Sequence, residues 1–153
     1  MDHQLNTLAI DDKLQIPGFL GTFACDEIPK KPKKVANFSL VVNVDPADKP
    51  GSHWIGIIFS RNVLYFVDSY GRTYKDHELF PGIFTRNIRK FIGDLKVVCN
   101  RKMLQQLVSN ACGDYAVYFI REITKNGFRK AMSVFSENLK KNDEYVVNYV
   151  KIL

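Results

Sequence analysis

The sequence predicts a single α+β domain spanning residues 1–153. Apolar, β-branched runs between residues 38 and 99 have the pattern of strands, and a broad apolar stripe at helical spacing follows residue 112. No internal repeat and no linker separates the two parts, so strands and helices are expected to share one core. A chain of this size buries roughly two thirds of its unfolded surface, which is enough for a core without disulfides.

The strand predictions rest on apolar runs bounded by turn-forming residues. Arg61-Asn62 separates two of these runs and predicts a hairpin turn. Lys49-Pro50-Gly51 marks the turn before His53. Residues 16–32 contain repeated Gly and Pro residues and predict a loop. The predicted strands are residues 38–44, 53–59, 63–67 and 95–99.

Two helices are predicted before residue 100. Residues 4–14 have an imperfect apolar stripe, carried by Leu5, Leu8 and Ala9, from which Ile10 and Leu14 are displaced. A second helix is predicted at residues 83–92, where apolar and basic residues alternate at helical spacing up to Gly93.

The C-terminal part is predicted to be helical. A broad apolar stripe predicts a buried helix that begins at Cys112 and ends at Asn126-Gly127. Two further helices are predicted near residues 128–140 and 142–152, the last of them capped by Asn142 or Asp143.

The composition, 46% apolar and 25% charged, is ordinary for a globular protein. No apolar run approaches the roughly 20 residues that span a bilayer. The polar N-terminus lacks the pattern of a signal peptide. We therefore expect a protein that is not secreted, has no membrane partner and keeps its thiols reduced. Cys25, Cys99 and Cys112 form an odd set, so at least one thiol is free within the chain.

The net charge of +6 favours acidic partners, including nucleic acid. Two interpretations stay open: a solvated basic surface, or a face that attracts a polyanion without reading its sequence. No zinc-finger spacing or aromatic RNA-binding pattern decides between them. The basic clusters are residues 30–34, then Arg86, Arg89 and Lys90, then Arg129, Lys130, Lys140 and Lys141.

Cys112 is the candidate nucleophile because it opens the predicted helix rather than lying within its apolar stripe. Unpaired N–H groups at a helix N-terminus favour the negative charge of a thiolate. Ser109 and Asn110 are residue types that cap helices, and Gly113 allows a substrate to approach closely. The alternative is a cysteine that only packs, which is common for this residue type.

His53 and Asp68 are the candidate base and orienting carboxylate. His53 starts a predicted strand and Asp68 ends the next one, so an antiparallel hairpin would bring them together. The structural alternatives are a half-buried hydrogen-bonded histidine and an Asx turn. His3 lies in the N-terminal segment, and His77 is expected to be solvated within a polar loop.

Gln105 and Gln106 precede Cys112 by seven and six residues. An amide N–H₂ near the thiolate, with the backbone N–H of Cys112, could stabilise an oxyanion. The alternative is a pair of solvated polar residues. No CxxC, HExxH or Gly-rich phosphate loop is present, so no metal site is expected.

Four sequence blocks occur in an order and approximate spacing that extend over residues 19–123. They resemble the adenain family of adenovirus-type endopeptidases, with relatives in Maverick/Polinton elements and adintovirus-like genomes. The same order resembles, more distantly, the proteases that remove ubiquitin-like modifiers. The blocks are Phe19-Leu20-Gly21-Thr22, Gly51-Ser52-His53-Trp54, Phe66-Val67-Asp68-Ser69-Tyr70-Gly71, and Leu104-Gln105 with Ser109-Asn110-Ala111-Cys112-Gly113.

The resemblance implies a papain-like cysteine protease in permuted order (His, Asp, Gln, Cys). A small mixed sheet would pack against a helix that carries the nucleophile, and against C-terminal helices. It implies Cys112 as nucleophile, His53 as base and acid, and Asp68 as the orienting carboxylate where the family has Glu. Trp54 would limit the motion of the imidazole and could donate its backbone N–H to the cleft.

The two branches of the resemblance assign the oxyanion residue differently. Adenain spacing selects Gln105, whereas the spacing of the modifier-removing branch selects Gln106. Adenain is activated by DNA and by a short peptide that is bound partly through a disulfide, and Cys99 lies roughly where the linking cysteine would fall. The sequence itself requires no cofactor, so a DNA or peptide activator is expected only by resemblance.

The sequence therefore predicts a cysteine endopeptidase that matures capsid or core precursors of a double-stranded-DNA virus or virus-like element. Its partners would be viral precursor polyproteins and, without sequence preference, DNA. We expect a monomer located in the virion or in the host nucleus or cytoplasm. The alternatives are an isopeptidase for a ubiquitin-like modifier and a binding module with a non-catalytic site.

Overall fold

A mixed five-stranded sheet forms the centre of the fold. The structure, a computed structural model, describes residues 4–33, 37–79 and 82–153. The strands follow one another across the sheet in chain order. The two outer pairs are parallel and the two inner pairs are antiparallel. The strands are β1 (Phe19–Ala24), β2 (Phe38–Asn43), β3 (Trp54–Ser60), β4 (Val63–Val67) and β5 (Lys96–Cys99).

Helices cover both faces of this sheet. α3 packs on one face together with α1 and α5, while α2 covers the other. Strand β2 shows the alternation directly, because Val41 faces α3 whereas Leu40 and Val42 face α2. The helices are α1 (Thr7–Lys13), α2 (Ile83–Ile92), α3 (Cys112–Asn126), α4 (Phe128–Met132) and α5 (Leu139–Lys151), with a 3₁₀ turn at Asp76–Leu79.

Burial on both faces explains why β2 is apolar along its length rather than alternating. The hairpin between β3 and β4 turns at Arg61 and Asn62, which have φ of 51° and 65°. Two successive positive φ values are those of a tight hairpin turn, so this turn is confirmed. Helix α2 and strand β4 also have the predicted bounds.

The loop prediction for residues 16–32 is wrong, because β1 lies within it. Gly21 has a φ of 132°, and the pairing with β2 shifts register between Phe19 and Thr22. Strand β1 is an edge strand with one neighbour, and an edge tolerates such an irregularity. The Gly and Pro residues in this segment therefore mark the ends of β1 and its irregular pairing with β2.

The apolar stripe assigned to the first helix is also wrong. Ile10 and Leu14, which were displaced from that stripe, are buried against α3, whereas Leu8 is 78% exposed. The helix is short and is capped by Asn6, whose side chain accepts a hydrogen bond from the N–H of Ala9 at 2.9 Å. Helical spacing alone could not show which side of so short a helix meets the core.

The boundaries of the last two helices differ from the prediction. Helix α4 stops at Met132, and α5 begins at Leu139 with Asn138 as its N-cap. Asn142 and Asp143 are not caps, because their side chains bond to Leu104 and Tyr115 inside the fold. Asn142 and Asp143 are residue types that often cap helices, but here they form hydrogen bonds between separate parts of the fold.

No helix among the described residues is long and apolar enough to cross a membrane.

Candidate active site

The antiparallel pairing of β3 and β4 brings His53 and Asp68 together. His53 directly precedes β3 and Asp68 directly follows β4. His53 Nε2 lies 2.7 Å from Asp68 Oδ1, and both side chains are buried. If the register of β3 and β4 is continued past the ends of both strands, Tyr70 lies opposite His53. Their rings stack with centroids 4.8 Å apart, so Tyr70 covers one face of the imidazole.

Asp68 is held by hydrogen bonds on both its backbone and its carboxylate. Its N–H donates to Asn100 Oδ1 at 2.9 Å, and its carbonyl accepts from Asn100 Nδ2 at 2.6 Å. Oδ1 also accepts from the N–H of Tyr70 at 2.8 Å. Burial acts to raise the pKa of this carboxyl, but the bonds from His53 and His77 hold it well below its usual range. Asp68 is therefore ionised.

The expectation that His77 is solvated is wrong. Its Nε2 lies 2.9 Å from Asp68 Oδ2, and its side chain is 7% exposed. Arg72 Nε lies 3.4 Å from the same oxygen, from a side chain that is 45% exposed. The sequence offered no periodic signal for His77, because it lies in a polar segment before α2. His3 lies outside the described residues.

Cys112 is the first residue of α3 and is 5% exposed. Its side chain acts electrostatically on that of His53, the imidazole that also meets Asp68 at 2.7 Å. Burial favours a neutral imidazole, but Asp68 and Cys112 outweigh it and raise the pKa of His53 to about 9. The site is arranged for an imidazolium between two groups that carry or can carry negative charge.

Ala111, not Ser109 or Asn110, is the N-cap of α3, and no side chain caps this helix start. Ser109 instead organises the loop before Cys112. Its Oγ accepts from the N–H of Ala111 at 3.3 Å and also bonds to Asp143 of α5. The backbone N–H groups at the start of α3 are thus left without a side-chain cap beside the thiol.

Trp54 packs against the start of α3. Its Nε1–H donates to the carbonyl of Leu5 at 3.3 Å. A Cβ on Gly113 would lie 3.0 Å from Leu5 Cβ and 3.4 Å from Trp54 Cδ1. Glycine at this position therefore lets Leu5 and Trp54 close over the residue next to Cys112.

The two glutamines occupy different environments. Gln105 is fully buried, and its Oε1 accepts from Ser69 Oγ at 2.5 Å. Its Nε2 consequently faces the other way and donates to the carbonyl of Ser109 at 2.9 Å. Gln106 is half-buried and lines two surface cavities. Of the two glutamines, Gln105 is the one hydrogen-bonded to Ser69, the residue that follows Asp68.

A cavity of about 740 Å³ opens beside His53. Tyr70, Arg72 and His77 line it on the side of the carboxylate, and Pro46 and Phe84 contribute apolar walls. His53 lines this cavity and Cys112 does not. Among the described residues, no three His, Cys, Asp or Glu side chains are grouped so that they could hold a metal ion.

Two of the basic clusters lie next to each other. Lys31 Nζ donates to the carbonyl of Ile92 at the end of α2, at 3.2 Å. Arg86, Arg89 and Lys90 are exposed on α2, and Lys30 and Lys33 are exposed on the adjoining loop. Lys34 lies outside the described residues.

No protein-family model and no curated protein matches the chain, but solved structures share its fold. The African swine fever virus protease pS273R superposes with a TM-score of 0.56 at 17% identity, over 94% of this chain and 66% of that one. The central domain of Lpg1148 from Legionella pneumophila gives 0.56 at 12% identity, over 99% of both chains. ChlaDub1 from Chlamydia trachomatis gives 0.53 at 13% identity, over 78% of this chain and 60% of that one.

The chain thus spans less than two thirds of the length of both ChlaDub1 and pS273R. At these identities the likeness concerns the fold. The chain has the α+β fold of these structures, with the expected mixed sheet packed against a cysteine-bearing helix.

Proposed function

We propose that this chain is a single-domain cysteine protease in which Cys112 is the nucleophile, His53 the general base and acid, and Asp68 the orienting carboxylate. The observation that carries the proposal is the buried imidazole of His53, 2.7 Å from the Asp68 carboxylate and near enough to the Cys112 side chain for that group to raise the pKa of the imidazole. A nucleophile, a base within hydrogen-bond reach and a third group that orients the base define this kind of site.

The reaction would proceed by acyl transfer. The Cys112 thiolate attacks the scissile carbonyl carbon while the imidazolium of His53 donates its proton to the leaving amine. The C–N bond breaks and a thioester remains. A water molecule then gives a proton to His53 and attacks the thioester, which releases the acid and restores the thiolate–imidazolium pair.

The oxyanion of each tetrahedral intermediate needs donors close to Cys112. The backbone N–H of Cys112 and the amide of Gln105 would supply them. Gln105 is favoured over Gln106 because Ser69 fixes its amide with Nε2 on the side of the loop that leads to Cys112. This choice corresponds to the adenain spacing.

For substrates, we propose precursor proteins of a double-stranded-DNA virus or virus-like element, cut as an endopeptidase. The motif order resembling the adenain family and the fold shared with the viral protease pS273R support this. The virion or the host nucleus or cytoplasm would then be its site of action, as a monomer. A peptide activator would need a free thiol such as Cys99, which lies half-buried on β5.

An isopeptidase acting on a ubiquitin-like modifier is the second candidate. The position of Gln106, six residues before Cys112, favours it, as does the fold shared with ChlaDub1. The two candidates differ in substrate and share one chemistry.

The test is a cleavage assay of the purified protein against a peptide library and a panel of ubiquitin-like fusions, each with and without DNA. Cys112→Ala and His53→Ala should each reduce turnover by about 10³-fold or more, and together by no more than either alone. Cys99→Ala is the matched control and should retain activity without a peptide activator. Turnover within about tenfold of the parent in Cys112→Ala would refute the protease assignment, and turnover of neither substrate class by the parent would favour a binding module.

A further inference from the structure

Two imidazoles share the carboxylate of Asp68. His53 Nε2 meets Oδ1 at 2.7 Å, and His77 Nε2 meets Oδ2 at 2.9 Å. Asp68 is fully buried, so solvent does not contribute to the orientation of its carboxylate. The mechanism uses only the first of these imidazoles and leaves the second without an assigned role.

The ring of His77 is held in a fixed slot. Its 3₁₀ turn places it between β4 and α2, where the ring of Phe84 is 5.0 Å away and that of Phe66 is 6.2 Å away, both edge-on. These contacts orient the imidazole so that Nε2 meets Asp68. A ring packed on two sides has little freedom to turn away from the carboxylate.

The direction of the hydrogen bond follows from the charge of Asp68. An ionised carboxylate is an acceptor only, so Nε2 of His77 must carry the hydrogen and donate it. With Oδ2 held by His77, and Oδ1 held by Tyr70 N–H and His53, the plane of the carboxylate is determined. Rotation about its Cβ–Cγ bond would break bonds at both oxygens.

We propose that His77 is a positioning residue for the reaction: its Nε2–H fixes the Asp68 carboxylate, so that Oδ1 keeps His53 aligned with Cys112. This inference rests on the proposed function. It does not make His77 a catalytic residue, because its side chain reaches His53 only through Asp68. Among the described residues, Arg72 and Tyr70 also act on Asp68, Asp76 acts on His77, and Cys112 acts on His53.

The test compares two substitutions at one position. His77→Phe keeps an aromatic ring between Phe66 and Phe84 but lacks the donor. His77→Gln restores an N–H₂ at about the reach of Nε2. We expect kcat to fall by about 10- to 100-fold in His77→Phe with KM unchanged, and to stay within about threefold of the parent in His77→Gln, because a small misplacement of reacting groups costs this much.

Two further variants calibrate the effect. Arg72→Gln removes the longer, exposed contact to the same oxygen and should lower kcat less than His77→Phe. Lys75→Gln changes an exposed side chain of the same segment and should be neutral. If His77→Phe does not fold, as judged by circular dichroism and urea unfolding, His77→Leu replaces it as the donor-free variant.

A second readout does not need a substrate. The rate of alkylation of Cys112 by iodoacetamide, measured by peptide mass mapping across pH, reports formation of the thiolate–imidazolium pair. It should be slower near neutral pH in His77→Phe and restored in His77→Gln, even if no peptide substrate is cleaved. Equal losses in both variants would show a purely structural role, and unchanged kcat and alkylation in His77→Phe would show no role. Either result overturns the proposal.

Discussion

At the scale of single residues, the buried pair of His53 and Asp68 sets the charge state of the site. Burial alone would leave the imidazole neutral, but Asp68 and Cys112 raise its pKa from 6.5 to about 9. The folded state therefore binds a proton that the unfolded chain releases between these two pH values. This contribution to the free energy of unfolding is fully present below pH 6.5 and is lost as the pH rises through about 9.

The same shift predicts the alkaline limb of the pH–rate profile. If imidazolium is the acid that protonates the leaving amine, kcat/KM should fall as the pH rises through about 9. Asp68→Asn removes the carboxylate that raises this pKa, so the limb should move to lower pH. The variant should also be slower than the parent but less impaired than Cys112→Ala. A limb that stays in place in Asp68→Asn would contradict the assigned partner of His53.

The two glutamines can be separated by single substitutions. Gln105→Ala should reduce kcat by on the order of 10²-fold, as expected for loss of one oxyanion donor, because its amide is buried and fixed by Ser69. Gln106→Ala should have a small effect and serves as the matched control. The reverse ranking would support the modifier-protease spacing, and two small effects would mean that neither amide contacts the oxyanion.

The sequence allowed Cys112, His53 and Asp68 to be chosen as candidates because each lies at the end of a strand or helix with a strong pattern. It could not show His77, which lies in an irregular polar segment nine residues after Asp68, or Asn100, which follows Asp68 by 32 residues. Tyr70 belongs to the sequence block Phe66–Gly71, but its stacking on His53 depends on how β3 and β4 continue past the end of β4. Contacts made across elements leave no periodic signal in a single sequence.

At the scale of elements, α5 holds the loop that leads to the nucleophile. Tyr115 on α3 donates its hydroxyl hydrogen to Asp143 on α5 at 2.7 Å. The hydroxyl oxygen of Tyr115 also lies 3.0 Å from the carbonyl oxygen of Leu104. Asp143 in turn bonds to Ser109 and, at 3.4 Å, to the N–H of Gln106. Burial raises the pKa of Asp143, so these donors stabilise a carboxylate that is partly withdrawn from water.

Loss of the Tyr115 hydroxyl should therefore destabilise the protein. Tyr115→Phe leaves a buried acceptor without its donor, and we expect the free energy of unfolding to fall by about 1–3 kcal/mol in urea titrations. Tyr145→Phe changes a tyrosine that is 43% exposed and should be near neutral. Equal stability of Tyr115→Phe and the parent would show that this bond does not hold α5 to α3.

The elements themselves were predictable where the pattern was long and regular, as in α2 and α3. Strand β1 was not, since an edge strand interrupted by Gly21 has the composition of a loop. The break between α4 and α5 was predicted too late in the chain, because Asn142 and Asp143 have the chemistry of caps but form buried hydrogen bonds. In both cases the tertiary environment determined the local structure.

At the scale of the whole molecule, two of the basic clusters adjoin each other. The bond from Lys31 to the end of α2 joins the loop at residues 30–33 to the exposed cations of that helix. A contiguous basic surface of this kind suits a polyanion contacted through its phosphates, without base recognition. We propose duplex DNA as that polyanion, since a protease held on a packaged genome would meet its substrates at raised local concentration.

This proposal predicts binding that depends on salt and not on sequence. Fluorescence anisotropy with two unrelated duplexes should give equal affinities, and the log–log slope against salt should be roughly −0.9 per phosphate neutralised. Charge reversal at Lys30, Lys31, Lys33 and Lys34 should reduce both affinity and slope. The same change at Lys140 and Lys141, in the third basic cluster, is the control. Absence of binding at low salt, or preference for one duplex, would exclude this mechanism and leave the protease assignment intact.

The order of the strands also has a consequence for how the protein folds. β2, β3 and β4 follow one another as an antiparallel meander, so His53 and Asp68, 15 residues apart, meet through a local hairpin. Cys112 follows β5, which pairs in parallel with β4, so it lies 44 residues after Asp68 in the chain. Since short loops close sooner than long ones, we expect the imidazole–carboxylate pair to form before the thiol docks. The single tryptophan, Trp54, contacts the start of α3, so its fluorescence during refolding reports the step that completes the site.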